Sequence, residues 1–237
     1  MKKSPLKNAK HRAVWDKEYK TGDHLALSTE PSEDLVKSIR WMERSSGHRD
    51  LNSISTALDL GCGNGRHLVY LAKMFGMKGI GYDISDEAIH QARQASLQLP
   101  LKYEVRSIAG DFDALRDGSI TLALDLMSSH FLKSAEREYL LSEILRVLKP
   151  GGFLIFKSFL ADEDLHTKRL LREHPADEPG AYIHPIFGLY EYTWTEEGVR
   201  EFFEPYFTIH KLDKSHRHII RGKAGKRRTI TAYLQKE

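Results

Sequence analysis

The hydrophobic pattern of this chain alternates between short apolar runs and longer stretches with helical spacing. An apolar run at 57–60 enters the glycine-rich segment G-C-G-N-G at 61–65, and a helical pattern begins at His67. Lys78–Asp83 is again apolar and strand-like, and a second helical pattern covers Ser85–Leu97. This order of strand, glycine loop, helix and strand predicts a βαβ unit with parallel strands.

Strand patterns continue along the rest of the chain. They lie at Lys102–Arg106, Ser119–Leu126, Phe153–Phe159, Phe207–Leu212 and Thr229–Gln235. Ser119–Leu126 is almost continuously apolar, as expected for a strand that is buried on both faces of a sheet. A long amphipathic helix at Lys133–Leu148 precedes the stop signal Lys149-Pro150-Gly151-Gly152. Strands that alternate with helices in this way predict an α/β fold.

The two ends of the chain carry weaker patterns. Residues 1–12 are basic with few apolar anchors, so we expect a frayed start, followed by a short helix at Ala13–Lys20. A second helix is predicted from Pro31 to about Arg44, with Ser32 supplying its cap. Towards the C-terminus we predict two helices and, between them, one long loop: Ala161–Glu173, Thr195–Phe203 and the loop His174–Thr193.

Composition limits the classes of protein that fit. The 237 residues are 41% hydrophobic and 29% charged, which is typical of one folded domain. No apolar run approaches the ~20 residues of a membrane helix, and the basic N-terminus lacks the apolar core of a signal peptide; we therefore expect a cytoplasmic protein without a membrane partner. The single cysteine, Cys62, excludes an internal disulfide, and no residue spacing indicates a metal site. The net charge of +3 does not by itself indicate a nucleic-acid partner.

The glycine loop at 61–65 carries the first chemical signal. Glycine at 61, 63 and 65 permits positive φ values and leaves room for a ligand against the backbone. A dinucleotide fingerprint G-x-G-x-x-G needs its third glycine at position 66, where this chain has Arg66. The alternative interpretation is a tight turn after a buried strand.

With Asp59 two residues before its first glycine, the loop resembles motif I of the class I S-adenosyl-L-methionine (SAM) methyltransferases. The resemblance implies that SAM is the cofactor and that the loop lies beneath it. SAM carries a cationic sulfonium and an ammonium group, for which an acid at a strand end is electrostatically favourable. The cofactor contacts that this motif implies are Asp59, Gly61, Cys62, Gly63, Asn64, Gly65 and Arg66.

Asp83 ends the second predicted strand, roughly 20 positions after Gly61, which is the separation typical of the ribose-binding acid in βαβ nucleotide sites. Its carboxylate can accept hydrogen bonds from both ribose hydroxyl groups. We predict this role for Asp83, with Ile84 beside it as a further cofactor contact. The alternative role, a cap for the following helix, is more naturally filled by Ser85.

The segment Ala109-Gly110-Asp111-Phe112 resembles the G-D segment of the same family. The resemblance implies that the Asp111 carboxylate accepts from the adenine amino group and that the N–H of Phe112 meets a ring nitrogen. A polar turn before the fourth strand is the alternative interpretation.

Asp125 and Leu126 end the fourth predicted strand, and ligands bind outside the carboxyl ends of parallel strands. We therefore expect these two residues, followed by Met127–His130, to border the methyl-transfer site. The family often has an aspartate where this chain has Thr121. The junction L-K-P-G-G before Phe153 resembles the same junction in the family.

The resemblance implies a complete class I fold. This fold is α/β and doubly wound, with a seven-stranded, mainly parallel sheet, an antiparallel C-terminal edge hairpin, and helices on both faces. We divide the single domain, 1–237, into an N-terminal helical lid (1–52), a SAM-binding core (53–160), and an acceptor-side insertion with the C-terminal hairpin (161–237).

Several residues are candidates for the acceptor pocket. Trp15 and Tyr19 stand at helical i, i+4 spacing, and W-x-x-x-Y before the first core strand resembles a segment that closes over SAM and substrate in small family members. His184 and Tyr190 lie in an insertion that helps to shape the acceptor pocket in related folds. His130, just beyond the fourth strand, is the preferred candidate for a base or an acceptor contact. For each of these residues, packing is the alternative role.

The basic segment 214–228 contains no acid and is either a solvated hairpin tip or a contact for an anion such as an RNA backbone. A small-molecule acceptor is favoured for two reasons. No RNA-binding domain is appended, and the aromatic segment 182–192 could enclose a small molecule. An RNA or protein methyltransferase is one alternative, and a non-catalytic SAM-binding or interaction protein is another. Arg66 argues against an NAD(P) oxidoreductase, and no pattern predicts an oligomeric state.

Overall fold

A computed structural model describes residues 5–24, 27–46, 49–162, 164–215, 219–220, 223–224 and 227–237. Its strands in chain order are β1 (Thr56–Leu60), β2 (Lys78–Asp83), β3 (Leu101–Val105), β4 (Ile120–Leu126), β5 (Leu148–Phe159), β6 (Ala181–Ile183), β7 (Tyr190–Tyr192), β8 (Phe207–Lys214), β9 (Ile219–Ile220), β10 (Lys223–Ala224) and β11 (Thr229–Lys236).

The α-helices of the described chain alternate with these strands. They are α1 (Pro5–Thr21), α2 (Glu33–Ser46), α3 (Arg66–Phe75), α4 (Asp86–Ala95), α5 (Ser134–Val147), α6 (Leu165–Glu173) and α7 (Glu196–Phe203). A single 3-10 turn covers Ser129–Phe131. Three of the predicted caps are present: Ser32, Ser85 and Thr195 accept hydrogen bonds from backbone N–H groups in the first turns of α2, α4 and α7. None of the described helices is both long enough and apolar enough to span a bilayer.

The central sheet has seven strands in the order β3-β2-β1-β4-β5-β11-β8. The first five strands of this order run parallel, whereas β11 pairs antiparallel with both β5 and β8. The predicted fold class, a mainly parallel doubly wound sheet with an antiparallel edge hairpin, is confirmed. Because the strand order reverses between β1 and β4, the carboxyl ends of these two strands open a crevice at the sheet edge.

The sheet carries an apolar cluster on each face, because alternate residues of a strand point to opposite faces. In β4, Ala123 belongs to one cluster, and Leu122 and Leu124 belong to the other. Residues of α5 and α7 cover the first face, and residues of α2, α3 and α4 cover the second. Burial on both faces explains why this strand has a continuous apolar sequence.

The N-terminal segment differs from its prediction. In place of a frayed start up to residue 12, the helix α1 begins at Pro5, while residues 1–4 lie outside the described chain. The Arg12 side chain donates to the carbonyl of Ile84 (3.2 Å) and forms an ion pair with Asp86 (3.4 Å). These anchors are polar, so an apolar periodicity could not reveal them.

The segment 174–193 is also more ordered than the predicted loop. β6 and β7 pair antiparallel within it, with Ala181 opposite Tyr192 and Ile183 opposite Tyr190. Strands of three residues are too short for an alternation of polar and apolar positions to be recognised.

The basic segment 214–228 lies only partly within the described residues. β9 and β10 pair antiparallel in it, and 216–218, 221–222 and 225–226 lie outside the described chain. The predicted contact of this segment with RNA therefore stays a prediction. Arg227 and Arg228, which end the segment, are described.

Candidate functional site

A cavity that is open to solvent at its mouth lies at the carboxyl edge of the parallel strands. Its walls come from the segments that follow β1, β2, β3 and β4, and α1 covers it from the N-terminal side. Wall residues from these segments include Gly61, Asp83, Ala109 and Ser128.

The glycine loop after β1 is shaped by close approaches that only glycine permits. Gly61 and Gly63 have φ values of +73° and +54°, which side chains rarely adopt. A Cβ on Gly61 would lie 2.5 Å from the Cβ of Ser128, and a Cβ on Gly63 would lie 2.1 Å from the phenolic oxygen of Tyr19. The loop therefore presents bare backbone between β4 and α1.

Asp83 connects the end of β2 to the glycine loop. Its Oδ2 accepts from the N–H of Gly63 (2.9 Å), and its Oδ1 accepts from the N–H of Ser85 (2.9 Å). Burial raises the pKa of Asp83 to about 6, although the two backbone hydrogen bonds act in the opposite direction. Because each carboxylate oxygen has two lone pairs, both oxygens retain acceptor capacity towards the cavity. This geometry suits the predicted ribose contact.

Asp59 lies inside β1 and not in the cavity wall. It is buried, and no donor among the described residues has hydrogen-bond geometry to its Oδ2. Nδ1 of His67 lies 3.5 Å from this oxygen. His67 was missed as a site residue, although its place in the first turn after the glycine loop was a usable signal. Asp59 and His67 together form a polar layer behind the loop.

The other predicted loop residues have structural partners. Cys62 is buried, and burial raises the pKa of its thiol well above its usual value, which leaves it protonated and unreactive. The amide of Asn64 donates to the carbonyl of Ser28 (3.0 Å). Gly65 adopts a positive φ of 76° before α3, which begins at Arg66. Their direct contacts with a cofactor stay predictions.

The segment after β3 differs from the predicted adenine site. Ser107, Ile108 and Ala109 line the cavity, whereas the Asp111 side chain is exposed. The N–H of Phe112 donates to Glu143 on α5 (2.7 Å), and its ring is fully buried. The implied hydrogen bond from this N–H to adenine was wrong for this conformation, because the donor is already used.

The turn after β4 is organised by Asp125. Its Oδ1 accepts from the hydroxyl of Ser128 (2.7 Å) and from the N–H of Ser129 (3.0 Å), and burial raises its pKa. These bonds support Met127, which has a φ of 70°, an uncommon value for a residue other than glycine. Met127 and Ser128 line the cavity, whereas Asp125 lies behind it and Leu126 packs against the apolar core. Asp125 thus positions the wall and is not itself part of it.

Helix α1 forms the lid over this cavity. Trp15 and Tyr19 both line it, on one side of the helix. The Oδ1 of Asp16 accepts from the hydroxyl of Ser85 (2.6 Å) and from the N–H of Glu87 (3.2 Å), so α1 adds a carboxylate to the N-terminus of α4. No sequence pattern indicated this contact, because its partners are far apart along the chain.

Aromatic rings enclose the side of the cavity between α1 and the turn after β4. The ring of Trp15 packs edge-on against Phe131 (centroids 5.2 Å apart) and lies 6.0 Å from Phe187. The ring of His184, a predicted pocket residue, stacks on the ring of Phe187 with centroids 4.7 Å apart. Phe187 thus lies between His184 and Trp15 of α1. Tyr190 is buried farther away and donates from its phenol to Glu178 (2.5 Å).

His130 lies behind Phe131, with ring centroids 4.0 Å apart. It is almost fully buried, and its Nδ1 has no hydrogen-bond partner among the described residues. Burial lowers the pKa of His130 to about 4, so the imidazole is neutral at pH 7.

A buried charged cluster, which the sequence did not reveal, lies next to His130. It consists of Arg227, Glu191 and Tyr182, contributed by the segment before β11 and by β7 and β6. Nη1 of Arg227 donates to Oε2 of Glu191 (3.0 Å), and the Tyr182 phenol donates to the same oxygen. The guanidinium carbon of Arg227 lies 3.3 Å from the centroid of the Phe159 ring.

Comparison with known proteins agrees with this arrangement. Residues 57–152 match the model of a methyltransferase domain family. A glycine/sarcosine/dimethylglycine N-methyltransferase from Actinopolyspora halophila is 27% identical over 148 residues, which are 62% of this chain and 26% of that protein. A sarcosine/dimethylglycine N-methyltransferase from Halorhodospira halochloris is 29% identical over 143 residues, which are 60% of this chain and 51% of that protein. The chain thus spans about half or less of the length of these curated relatives.

The fold is similar to a crystal structure of 1,6-didemethyltoxoflavin-N1-methyltransferase from Burkholderia thailandensis, which contains 1,6-didemethyltoxoflavin and S-adenosylhomocysteine. The TM-score is 0.69 at 17% identity, and the match covers 99% of this chain and 92% of that one. At this identity the likeness concerns the fold alone.

Proposed function

Because residues 57–152 form a class I methyltransferase domain, we propose that this chain transfers the methyl group of SAM to a small-molecule acceptor. The observation that carries the proposal is Asp83. Its carboxylate faces the cavity, is fixed by two backbone N–H groups, and stands beside a glycine loop that has no room for side chains.

The residues of the cavity fit a nucleoside cofactor. Asp83 offers oxygen acceptors for two ribose hydroxyl groups. Gly61 adds backbone to the cavity wall, and the wall at 107–109 gives a neutral surface for an adenine ring. SAM would supply a sulfonium methyl group that already has an excellent leaving group.

The protein's own contribution is then alignment of the reactants and exclusion of water. Trp15 and Tyr19 cover the cavity from α1, and Phe131 closes its acceptor side. Burial raises the pKa of the Tyr19 phenol, so it stays protonated and can donate a hydrogen bond within the site. His130 lies behind Phe131 and outside the cavity wall, and burial lowers its pKa to about 4, which makes it a weak base, so the predicted role of His130 as a base stays a prediction.

A small acceptor is supported by the enclosure of the site. Trp15 and Phe131 line the cavity between the lid and the sheet edge, and Phe187 packs behind Trp15, so aromatic rings enclose this side of the site. The relatives named as N-methyltransferases of glycine, sarcosine and dimethylglycine agree with a small-molecule acceptor.

Two measurements test the proposal. We expect SAM and S-adenosylhomocysteine, but not NAD, to bind in isothermal titration calorimetry and to raise the melting temperature. We then expect tritiated methyl groups from SAM to appear in the small-molecule fraction of a cell extract incubated with the protein. Binding of NAD alone would overturn the choice of cofactor, and label confined to RNA or protein would overturn the choice of acceptor.

A further inference from the structure

Arg227 lies at the carboxyl edge of the sheet and is connected to the cavity wall through Phe159, His130 and Phe131. β11 pairs antiparallel with β5, with Thr229 opposite Phe159, so the residues just before β11 lie beyond the end of β5. The side chain of Arg227 is only 14% exposed, although it is a permanent cation. A buried guanidinium at this place needs an explanation.

The guanidinium is only partly paired. Nη1 donates to Glu191, but Nε and Nη2 of Arg227 are buried and have no hydrogen-bond partner among the described residues. A buried donor without a partner costs roughly 1–3 kcal/mol, more for a charged group. Nε and Nη2 share one edge of the planar guanidinium, and their parallel N–H groups match the two oxygens of a carboxylate.

A second unpartnered group faces the same ring. His130 and Arg227 both pack on Phe159, His130 with ring centroids 5.1 Å apart and Arg227 with its guanidinium carbon 3.3 Å from the ring centroid. Nδ1 of His130 also has no partner among the described residues. Three nitrogen atoms that need partners thus surround one aromatic ring, which is the pattern of a polar recognition site and not of a completed core.

We propose that the Nε–Nη2 edge of Arg227 binds a carboxylate of the methyl acceptor, so that the acceptors of this protein are small carboxylic acids. This inference rests on the proposed methyltransferase function. The acceptor would extend from Arg227 past Phe131, which separates His130 from the cavity, towards the cofactor crevice. Trp15 packs on Phe131, so opening of α1 frees the ring that bars this path.

The charge of the cluster selects among anions. Glu191 already places one negative charge on Arg227, and Glu191 itself is only 4% exposed by its side chain. A dianion such as a phosphate would bring two more charges beside this carboxylate in a poorly solvated place, which is strongly unfavourable. A monoanionic carboxylate adds one charge and is met by two N–H donors. The cluster therefore favours carboxylates over phosphates.

The test compares acids with their neutral amides on protein saturated with S-adenosylhomocysteine. Benzoate and benzamide, and glycolate and glycolamide, are titrated at constant ionic strength while the melting temperature and saturation-transfer NMR signals are recorded. We expect the acids to stabilise the protein and the amides to have little effect. Inorganic phosphate at the same ionic strength is expected to give no stabilisation.

Two variants complete the test. Arg227→Gln and Arg227→Lys are expected to weaken acid binding about tenfold to a hundredfold, as expected for the loss of a charged two-point hydrogen bond. Arg200→Gln, which changes an exposed arginine on α7, is the matched control and should bind acids as the wild type does. The affinity for S-adenosylhomocysteine should be the same in all of these proteins.

The outcomes separate the two proposals. Failure of the wild type to bind S-adenosylhomocysteine would overturn the methyltransferase proposal and this inference together. Normal cofactor binding with equal responses to acids and amides would overturn this inference alone. The same holds if Arg227→Gln retained full preference for acids, because Arg227 would then be a structural partner of Glu191. The comparison of acids with amides on the wild type decides the matter even where a variant fails to fold.

Discussion

The phenolic oxygen of Tyr19 covers Gly63 so closely that a Cβ on the glycine would lie 2.1 Å from it. The lid helix and the glycine loop are therefore in direct contact, although Tyr19 and Gly63 are far apart along the chain. The N–H of the same glycine donates to Asp83. One residue thus connects the lid, the loop and the predicted ribose acceptor.

We expect Gly63→Ala to weaken binding of S-adenosylhomocysteine at least tenfold, because the new methyl group displaces Tyr19 from the loop. Removing the phenolic oxygen in Tyr19→Phe leaves the nearest ring carbon at 3.2 Å from the new Cβ. The double variant Tyr19→Phe/Gly63→Ala should therefore bind better than Gly63→Ala alone, which calorimetry can measure as non-additivity.

Gly118→Ala is the control for backbone strain in that experiment. Gly118 has a φ of +63°, but a Cβ there would meet nothing closer than 3.8 Å. This variant should lose about 1 kcal/mol of stability and keep its affinity for the cofactor. An equal loss of affinity in Gly118→Ala and Gly63→Ala would contradict the role given to the contact with Tyr19.

The second prediction concerns Asp83 itself. Asp83→Asn removes one acceptor oxygen and the negative charge, so we expect SAM to bind about tenfold to a hundredfold more weakly. Asp113→Asn, at an exposed aspartate outside the cavity, is the matched control. Unchanged SAM affinity in the Asp83 variant would contradict the ribose contact, provided that circular dichroism shows an intact fold.

Much of this site could be predicted from the sequence, because its residues stand at the ends of strands that the sequence pattern reveals. Gly61 follows β1 and Asp83 ends β2, both strands have a clear apolar pattern, and parallel strands bring their carboxyl ends to one edge. Once β1 and β2 are recognised, the two residues must be neighbours. The N–H of Gly63 bonding to Asp83 is the direct consequence.

The parts that the sequence did not predict depend on contacts between distant segments. Asp16 binds residues at the start of α4, and Glu191 binds Arg227. In neither case does a sequence motif connect the two partners. Phe112 shows the opposite error, because its place in a familiar segment predicted a free N–H that Glu143 in fact uses. Local patterns fix strands and turns, whereas side-chain pairing depends on how the insertion and the lid pack.

The third prediction is a pH dependence of cofactor binding. The pKa of Asp83 is raised to about 6, so below that pH the free protein carries a neutral carboxyl group that must lose its proton to accept from two ribose hydroxyls. SAM affinity should be constant above pH 7 and fall about tenfold for each pH unit below 6. Calorimetry between pH 5 and 8 measures this change.

The effect of Asp83 on the free energy of unfolding distinguishes a pH-dependent loss of cofactor binding from acid unfolding of the protein. Because the native carboxyl group binds its proton at a higher pH than the unfolded one, Asp83 adds stability as the pH falls from 6 towards 4. The affinity for SAM should therefore fall over this pH range although the protonation of Asp83 does not destabilise the fold. In Asp83→Asn the pH dependence should disappear, and its persistence would assign the effect to another group.

The fourth prediction concerns the attachment of the lid. Asp16→Asn weakens the hydrogen bonds to Ser85 and Glu87 and removes a negative charge from the N-terminus of α4. We expect α1 to open about five- to thirtyfold more often, as for the loss of a helix cap worth 1–2 kcal/mol. Hydrogen exchange at the α1 amides and the dissociation rate of S-adenosylhomocysteine should both rise. Asp113→Asn, at an exposed aspartate in the segment between β3 and β4, is the control, and equal exchange in both variants would contradict the attachment.

The last prediction uses His130 as an internal probe of burial. Its pKa is lowered to about 4, so between pH 6.5 and 4 the unfolded chain takes up a proton that the native protein does not. The free energy of unfolding should therefore fall as the pH falls through this range, by an amount on the order of 3 kcal/mol from this residue. His130→Gln should flatten that part of the profile in urea titrations, whereas His90→Gln, at an exposed position on α4, should not. If the two variants gave the same slope, His130 would have to be solvated, and the closed aromatic wall in front of it would be wrong.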